Sequence, residues 1–234
     1  NKSLGELLIK NKCTDTLDNL GIAAEKGSVE LMAGFAYHPF SPLVIQSKYG
    51  KDELKRQNEL NNSFNKKFFN KLWNPKGFYL PEFGYSDDVG KLVKEMGYEY
   101  TVTNALLYAE KNKKPQPFDR IISSKGTNLF FTSEWSKEFA INRPNNGDCD
   151  TRNLINDMFS GMCGWFGNKN GYTVWGYDIE TIGHQQKGYG VHTLEAMFQG
   201  MKEHDMESVF LSGLIKMFPE REEAEIFPGT QSTS

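Results

Sequence analysis

The chain has 234 residues, 38% hydrophobic and 13% aromatic, enough for one substantial core or two small ones. Its 27 basic residues stand against 30 acidic ones, a formal charge of −3, so the protein as a whole offers no attraction to a nucleic-acid backbone. No run approaches about 18 uninterrupted apolar residues, so no segment is expected to span a membrane. Cys13, Cys149 and Cys163 are odd in number and hold no CxxC pair, which argues against a disulfide framework and a zinc–cysteine site. They read as free buried thiols of a reduced, cytoplasmic compartment, although a chain starting at Asn1 leaves a signal peptide upstream open.

In chain order, Leu4, Leu7, Leu8, Leu17, Leu20 and Ala24 recur at three-, four- and seven-residue spacings. That predicts one or two amphipathic helices over residues 4–26, stopped by Gly27. Residues 28–34 read as a short strand with Glu30 among apolar neighbours, and residues 35–42 as an aromatic loop with His38 ahead of Pro39. Across 51–73, Leu54, Leu60, Phe64, Phe68, Phe69 and Leu72 share one face of a polar stretch, which predicts a long surface helix that Pro75 and Gly77 end.

Residues 77–82 form a second apolar strand ending in Glu82, and Ser86, Asp87 and Asp88 supply a cap and first-turn acids for a helix closed by Gly97. Residues 98–103 alternate as a third strand, so strand, helix and strand make a βαβ unit with a parallel pair. A barrel or doubly wound sheet follows. Strands around Ile121 and over 129–132, and a helix over 151–161, fall within 111–170, a stretch otherwise read as an irregular insertion over the active-site face. Tyr172, Thr173, Val174, Trp175 and Tyr177 then read as a buried strand delivering Asp178, Glu180 and His184 at its end. A helix is expected over 191–203, and a last strand or its loop over 209–214.

Acids at the ends of two strands, Glu82 and Asp178, are the minimum equipment for glycoside hydrolysis. A retaining displacement needs one carboxylate ionised at the anomeric carbon and one carboxyl protonated at the leaving oxygen, so their pKa values must be pushed apart. His38 or His184 would favour the charge on Glu82, while burial and repulsion from Glu180 would keep Asp178 protonated. Tyr37, Tyr79, Tyr85, Trp165 and Trp175 are of the type that stacks on sugar rings, and equally of the type that packs a core.

Three segments in order carry a family resemblance. Gly27-Ser28-Val29-Glu30-Leu31 followed by Tyr37-His38-Pro39 resembles the second characteristic region of glycoside hydrolase family 57. Leu80-Pro81-Glu82-Phe83-Gly84-Tyr85 resembles the third, and Tyr177-Asp178-Ile179-Glu180-Thr181-Ile182-Gly183-His184 the fourth, with its D-x-E-x-x-G-H pattern. The resemblance implies a retaining enzyme on an incomplete (β/α)7 barrel, an α/β fold of parallel strands and surrounding helices, acting on starch- or glycogen-like α-glucan without metal or organic cofactor. It implies Glu82 as nucleophile and Asp178 as acid/base, with Glu30, His38, Tyr85, Trp175, Glu180 and His184 on the substrate side. Ile182 departs from the aromatic residue usual there. An opening His-Gln-Pro region and a fifth region are not recognisable. Residues 1–234 therefore read as a single catalytic-domain fragment that lacks the first strand region and the C-terminal part.

Other classes stay open at this stage. A metal-dependent polysaccharide deacetylase or mannosidase on a similar barrel would need an Asp/His cluster, which His38, His184, His192 and His204 do not provide by their spacing. A carbohydrate-binding homologue without catalysis would not need both Glu82 and Asp178.

Overall fold

The N-terminal helices form where the apolar spacing predicts them. In the computed structural model, which describes residues 1–133, 148–176 and 190–230, α1 spans Lys2–Lys10 and α2 spans Thr14–Glu25. The Asn1 side chain accepts the Leu4 amide and caps α1. Gly27 follows α2 with φ of 69°, a conformation that costs glycine little. The aromatic loop after it contains one short helix, α3 (Ser41–Val44).

The long surface helix is α4, Gly50–Phe69. Its inner face buries Leu54 and Phe69 and also Gln57, Asn58, Asn61 and Asn65, so amides take the place of several aliphatic contacts. A buried amide is costly unless paired. Asn58 and Asn62 both donate to Tyr98 Oη, at 3.0 and 2.9 Å, and Trp73 Nε1 donates to Asn62 Oδ1 at 3.0 Å. This network fixes the register of α4 on the sheet more strictly than apolar contact alone.

The βαβ unit consists of β1 (Gly77–Tyr79), α5 (Asp87–Glu95) and β2 (Tyr100–Asn104), with the strands parallel and Phe78 opposite Thr101. Ser86 caps α5 by accepting the Val89 amide, and α6 (Ala105–Asn112) leaves directly from β2. The strands β3 (Ile121–Ser124) and β4 (Thr127–Thr132) form an antiparallel hairpin. Its turn residues Lys125 and Gly126 both have positive φ, 50° and 78°, the twist a two-residue hairpin loop favours. After α7 (Asp148–Phe166), α8 (Gly190–Glu203) and α9 (Leu211–Met217), β5 (Arg221–Glu223) pairs parallel with β3. The sheet order is β1-β2-β4-β3-β5, a mostly parallel α/β arrangement that hydrogen bonds among the described residues do not close into a ring.

Four expectations change. Residues 28–34 contribute one parallel bridge, Ala33 to Phe78, because only the Ala33 backbone meets β1, while Phe35 anchors the segment by packing edge-on to Phe78 at 4.8 Å. Of the strand expected over Tyr172, Thr173, Val174, Trp175 and Tyr177, the described part gives one bridge, Val174 to Thr132, and Val174 alone among 172–176 is buried, while Tyr177 lies outside the described residues. The region 209–214, expected as a last strand or its loop, holds the start of helix α9, since Leu211, Leu214 and Ile215 fall on one helical face. Cys13 also differs from the expected buried thiol: it is exposed at the α1–α2 turn, and Cys163 is half-buried.

Contacts divide the chain into two units, residues 1–131 with 210–234, and residues 132–209. The first has an aromatic-rich core over the sheet, including Phe35, Phe78, Tyr85, Tyr98, Tyr108 and Phe131. The second packs Ile155, Met158, Phe159 and Met162 of α7 against Ala196, Met197 and Met201 of α8. A side chain at Gly200 would come within 2.8 Å of the Phe159 ring, so glycine permits the close approach of these helices.

Candidate active site

The loop after β1 is built around a proline and a pair of left-handed residues. Pro81 has no amide to continue the ladder, and the chain turns at once over Pro81–Phe83. Glu82 (φ 57°, ψ 19°) and Phe83 (φ 51°) both adopt left-handed backbone. For residues with a Cβ this costs roughly 1–2 kcal/mol each. The outcome is that Leu80 and Pro81 are buried while Glu82, at the C-terminal end of a parallel strand, is exposed.

The strained turn is held from several directions. The Phe83 and Gly84 amides donate to the Leu80 and Pro81 carbonyls, both at 3.0 Å. Thr103, in β2, donates its hydroxyl to the Phe83 carbonyl at 2.8 Å, and Thr230 donates to the Glu82 carbonyl at 2.6 Å. Tyr85 and Gly229 exchange two backbone bonds of 2.9 and 3.0 Å. A Cβ on Gly84 would lie 2.6 Å from the Phe40 ring, so glycine here lets the loop that carries His38 rest against the loop that carries Glu82.

The other expected residues are distributed as follows. His38 is exposed, with φ of 55°. Glu30 is half-buried, and its carboxylate accepts the Ser212 amide at 3.2 Å in the first turn of α9, where the helix dipole favours a negative charge. Its charge also faces Tyr100, whose phenol is pushed well above the usual tyrosine range first by burial and then by Glu30; the pair makes no hydrogen bond of good geometry. Tyr85 is fully buried, and burial likewise raises its phenol, with Oη beside the Ser124 hydroxyl but without a well-formed bond. Its ring meets Gly90 in the core and offers no face to a sugar in this structure. Trp175 is half-buried, 5.7 Å from Phe159. Asp178, Glu180 and His184 lie outside the described residues.

Sequence reasoning did not single out Thr103 or Thr230. Thr103 carried one signal, its place at the end of a βαβ strand; Thr230 carried none, since its partner is 148 residues away. Among the described residues, no group of three His, Cys, Asp or Glu side chains is placed to hold a metal ion, and no helix is long and apolar enough to cross a membrane.

The described residues thus form an α/β arrangement with one exposed carboxylate, Glu82, in the turn that follows a parallel strand. The sequence profile of glycosyl hydrolase family 57 matches residues 4–226, and the chain belongs to that family. Solved structures agree on the fold. A GH57-type branching enzyme from Pyrococcus horikoshii superposes with a TM-score of 0.73 at 17% identity, covering 96% of this chain and 51% of that one. The 4-α-glucanotransferase of Thermococcus litoralis gives 0.73 at 19% identity, covering 99% of this chain and 33% of that one. An α-amylase from Thermotoga maritima gives 0.72 at 15% identity, covering 97% and 56%. The chain thus spans a third to somewhat over half of the length of these proteins. No curated protein matches the sequence significantly.

Proposed function

We propose that the protein of which this chain forms the matched region is a retaining glycoside hydrolase or transglycosylase acting on α-linked glucan. The observation that carries this reading is the placement of Glu82, an exposed carboxylate held on a left-handed turn directly after a parallel strand, in a chain of glycosyl hydrolase family 57. Glu82 is the nucleophile: a carboxylate oxygen forms a bond to the anomeric carbon as the glycosidic C–O bond breaks. Asp178 gives its proton to the departing oxygen. In the second half, Asp178 takes a proton from water or a sugar hydroxyl, which attacks the anomeric carbon and frees Glu82, so the configuration is retained. Glu30, His38, Trp175, Glu180 and His184 serve the substrate side, and Tyr85 supports the loop from the core.

The test uses the two acids' unequal tasks in the complete protein. Glu82→Ala should abolish turnover, and azide entering the vacated space should give a glycosyl azide of inverted configuration, with Asp178 still protonating the leaving group. Asp178→Ala should fail on natural substrates but form the glycosyl-enzyme from activated ones, and azide should then give the retained product. Anomeric-proton NMR reads the difference. Near-native turnover by Glu82→Ala, or the same anomer from both variants, overturns the assignment.

A further inference from the structure

The turn that carries Glu82 needs outside support, because two successive left-handed residues leave their carbonyls without partners in the turn itself. The turn's own bonds satisfy the Phe83 and Gly84 amides through the Leu80 and Pro81 carbonyls. The Glu82 and Phe83 carbonyls are taken instead by two hydroxyls that reach in from distant parts of the chain. Thr103 is fully buried in β2 and donates to Phe83 at 2.8 Å. Thr230, after the Tyr85–Gly229 bridge, donates to Glu82 itself at 2.6 Å. One hydroxyl thus grips each peptide on the C-terminal side of the two strained residues.

The geometry points to Thr103 and Thr230 as positioning residues that hold the backbone of Glu82 in its left-handed conformation and so aim its carboxylate at the reacting carbon. The inference rests on the reading of Glu82 as nucleophile. Releasing either carbonyl lets the Glu82–Phe83 pair relax toward ordinary backbone, which swings the side chain away from its line of attack. Displacements of about 1 Å can cost on the order of a hundredfold in rate when the reaction depends on a near-attack geometry. Binding of the sugar by other residues is not disturbed by such a change.

The test compares Thr103→Val and Thr230→Val, which remove a hydroxyl at nearly constant shape, with Thr103→Ser and Thr230→Ser, which keep it. Steady-state kinetics on a soluble α-glucan are combined with the rate at which a fluorinated α-glucosyl fluoride, losing fluoride, esterifies the protein, located by peptide mass. The valine variants should lose about tenfold or more in kcat and in the esterification rate, with KM within about threefold, while the serine variants recover both. If Thr103→Val does not fold, as shown by its thermal unfolding, Thr230→Val decides, because Thr230 is only half-buried. An ester on Glu82 formed at unchanged rate in the valine variants overturns this inference alone. An ester on another carboxylate of the unmodified protein overturns the nucleophile reading and the inference with it.

Discussion

The two units of the chain reach their packing with different side chains. The core over the sheet is built from rings in edge-on and tilted contact: Phe35 with Phe78 at 4.8 Å, Phe78 with Tyr98 at 5.0 Å, Tyr100 with Phe130 at 5.3 Å and Tyr108 with Phe131 at 5.6 Å. The helical pair α7 and α8 relies instead on Met158, Met162, Met197 and Met201 around Phe159. Rings have few rotamers and directional contacts, whereas methionine bends to fill whatever gap it meets. The strained Glu82 turn belongs to the first unit, where a precise backbone can be maintained. The Glu82 turn therefore lies in the unit packed by directional ring contacts, whereas the methionine core is of a kind that adjusts to a substitution.

The largest expected effect breaks the ring network. Phe78→Ala should cost about 3–5 kcal/mol in denaturant unfolding, since the side chain is fully buried between Phe35 and Tyr98. A loss below about 1 kcal/mol would mean that the aromatic core repacks as freely as the methionine one.

Gly77→Ala tests the same rigidity from the opposite side. The added carbon would stand 2.3 Å from the Tyr100 ring, so overpacking should cost about 1–3 kcal/mol. Wild-type stability would show that Tyr100 moves aside easily and that β1 is not pinned by it.

Alkaline pH should act on the first unit. Burial raises the phenols of Tyr85, Tyr98, Tyr100 and Tyr108 above their usual value. Each therefore holds its proton in the folded state at a pH where the unfolded chain releases it. The stability they contribute is fully present below pH about 10 and is lost as pH rises beyond it. Amide exchange of peptides from residues 77–131 should accelerate above that pH, and equal protection on both sides of it would contradict the burial argument.

The smallest effect belongs to the second unit. Met158→Leu conserves volume in an adaptable core and should change stability by less than about 1.5 kcal/mol, measured in the same unfolding experiment as Phe78→Ala. A cost equal to that of Phe78→Ala would erase the contrast between the units.

The features set by neighbours along the chain were legible in the amino-acid order. Apolar spacing placed α1, α2 and α4, and the Ser86 cap and Gly97 bounded α5, because a helix is closed by its own residues. The βαβ step was legible for the same reason, and with it the position of Glu82 at a strand end. Three ordered motifs, none decisive alone, pointed to the family to which the chain belongs. The remaining features depend on contacts between segments far apart in the chain. Residues 28–34 and 172–176 have the composition of strands, but a strand exists only where a partner backbone runs alongside, and among the described residues each meets its partner at a single bridge. The helix α9 lies in a short apolar run that could be strand or helix, and the strand β5 is a charged triplet without a strand signal, whose pairing with β3 spans about a hundred residues. Tyr85 looks like a sugar-stacking residue in the motif and is core in the fold, since burial depends on what covers it. The hydroxyls of Thr103 and Thr230 become partners of the Glu82 turn only because the folded chain brings residues 20 and 148 positions apart within a hydrogen bond of it.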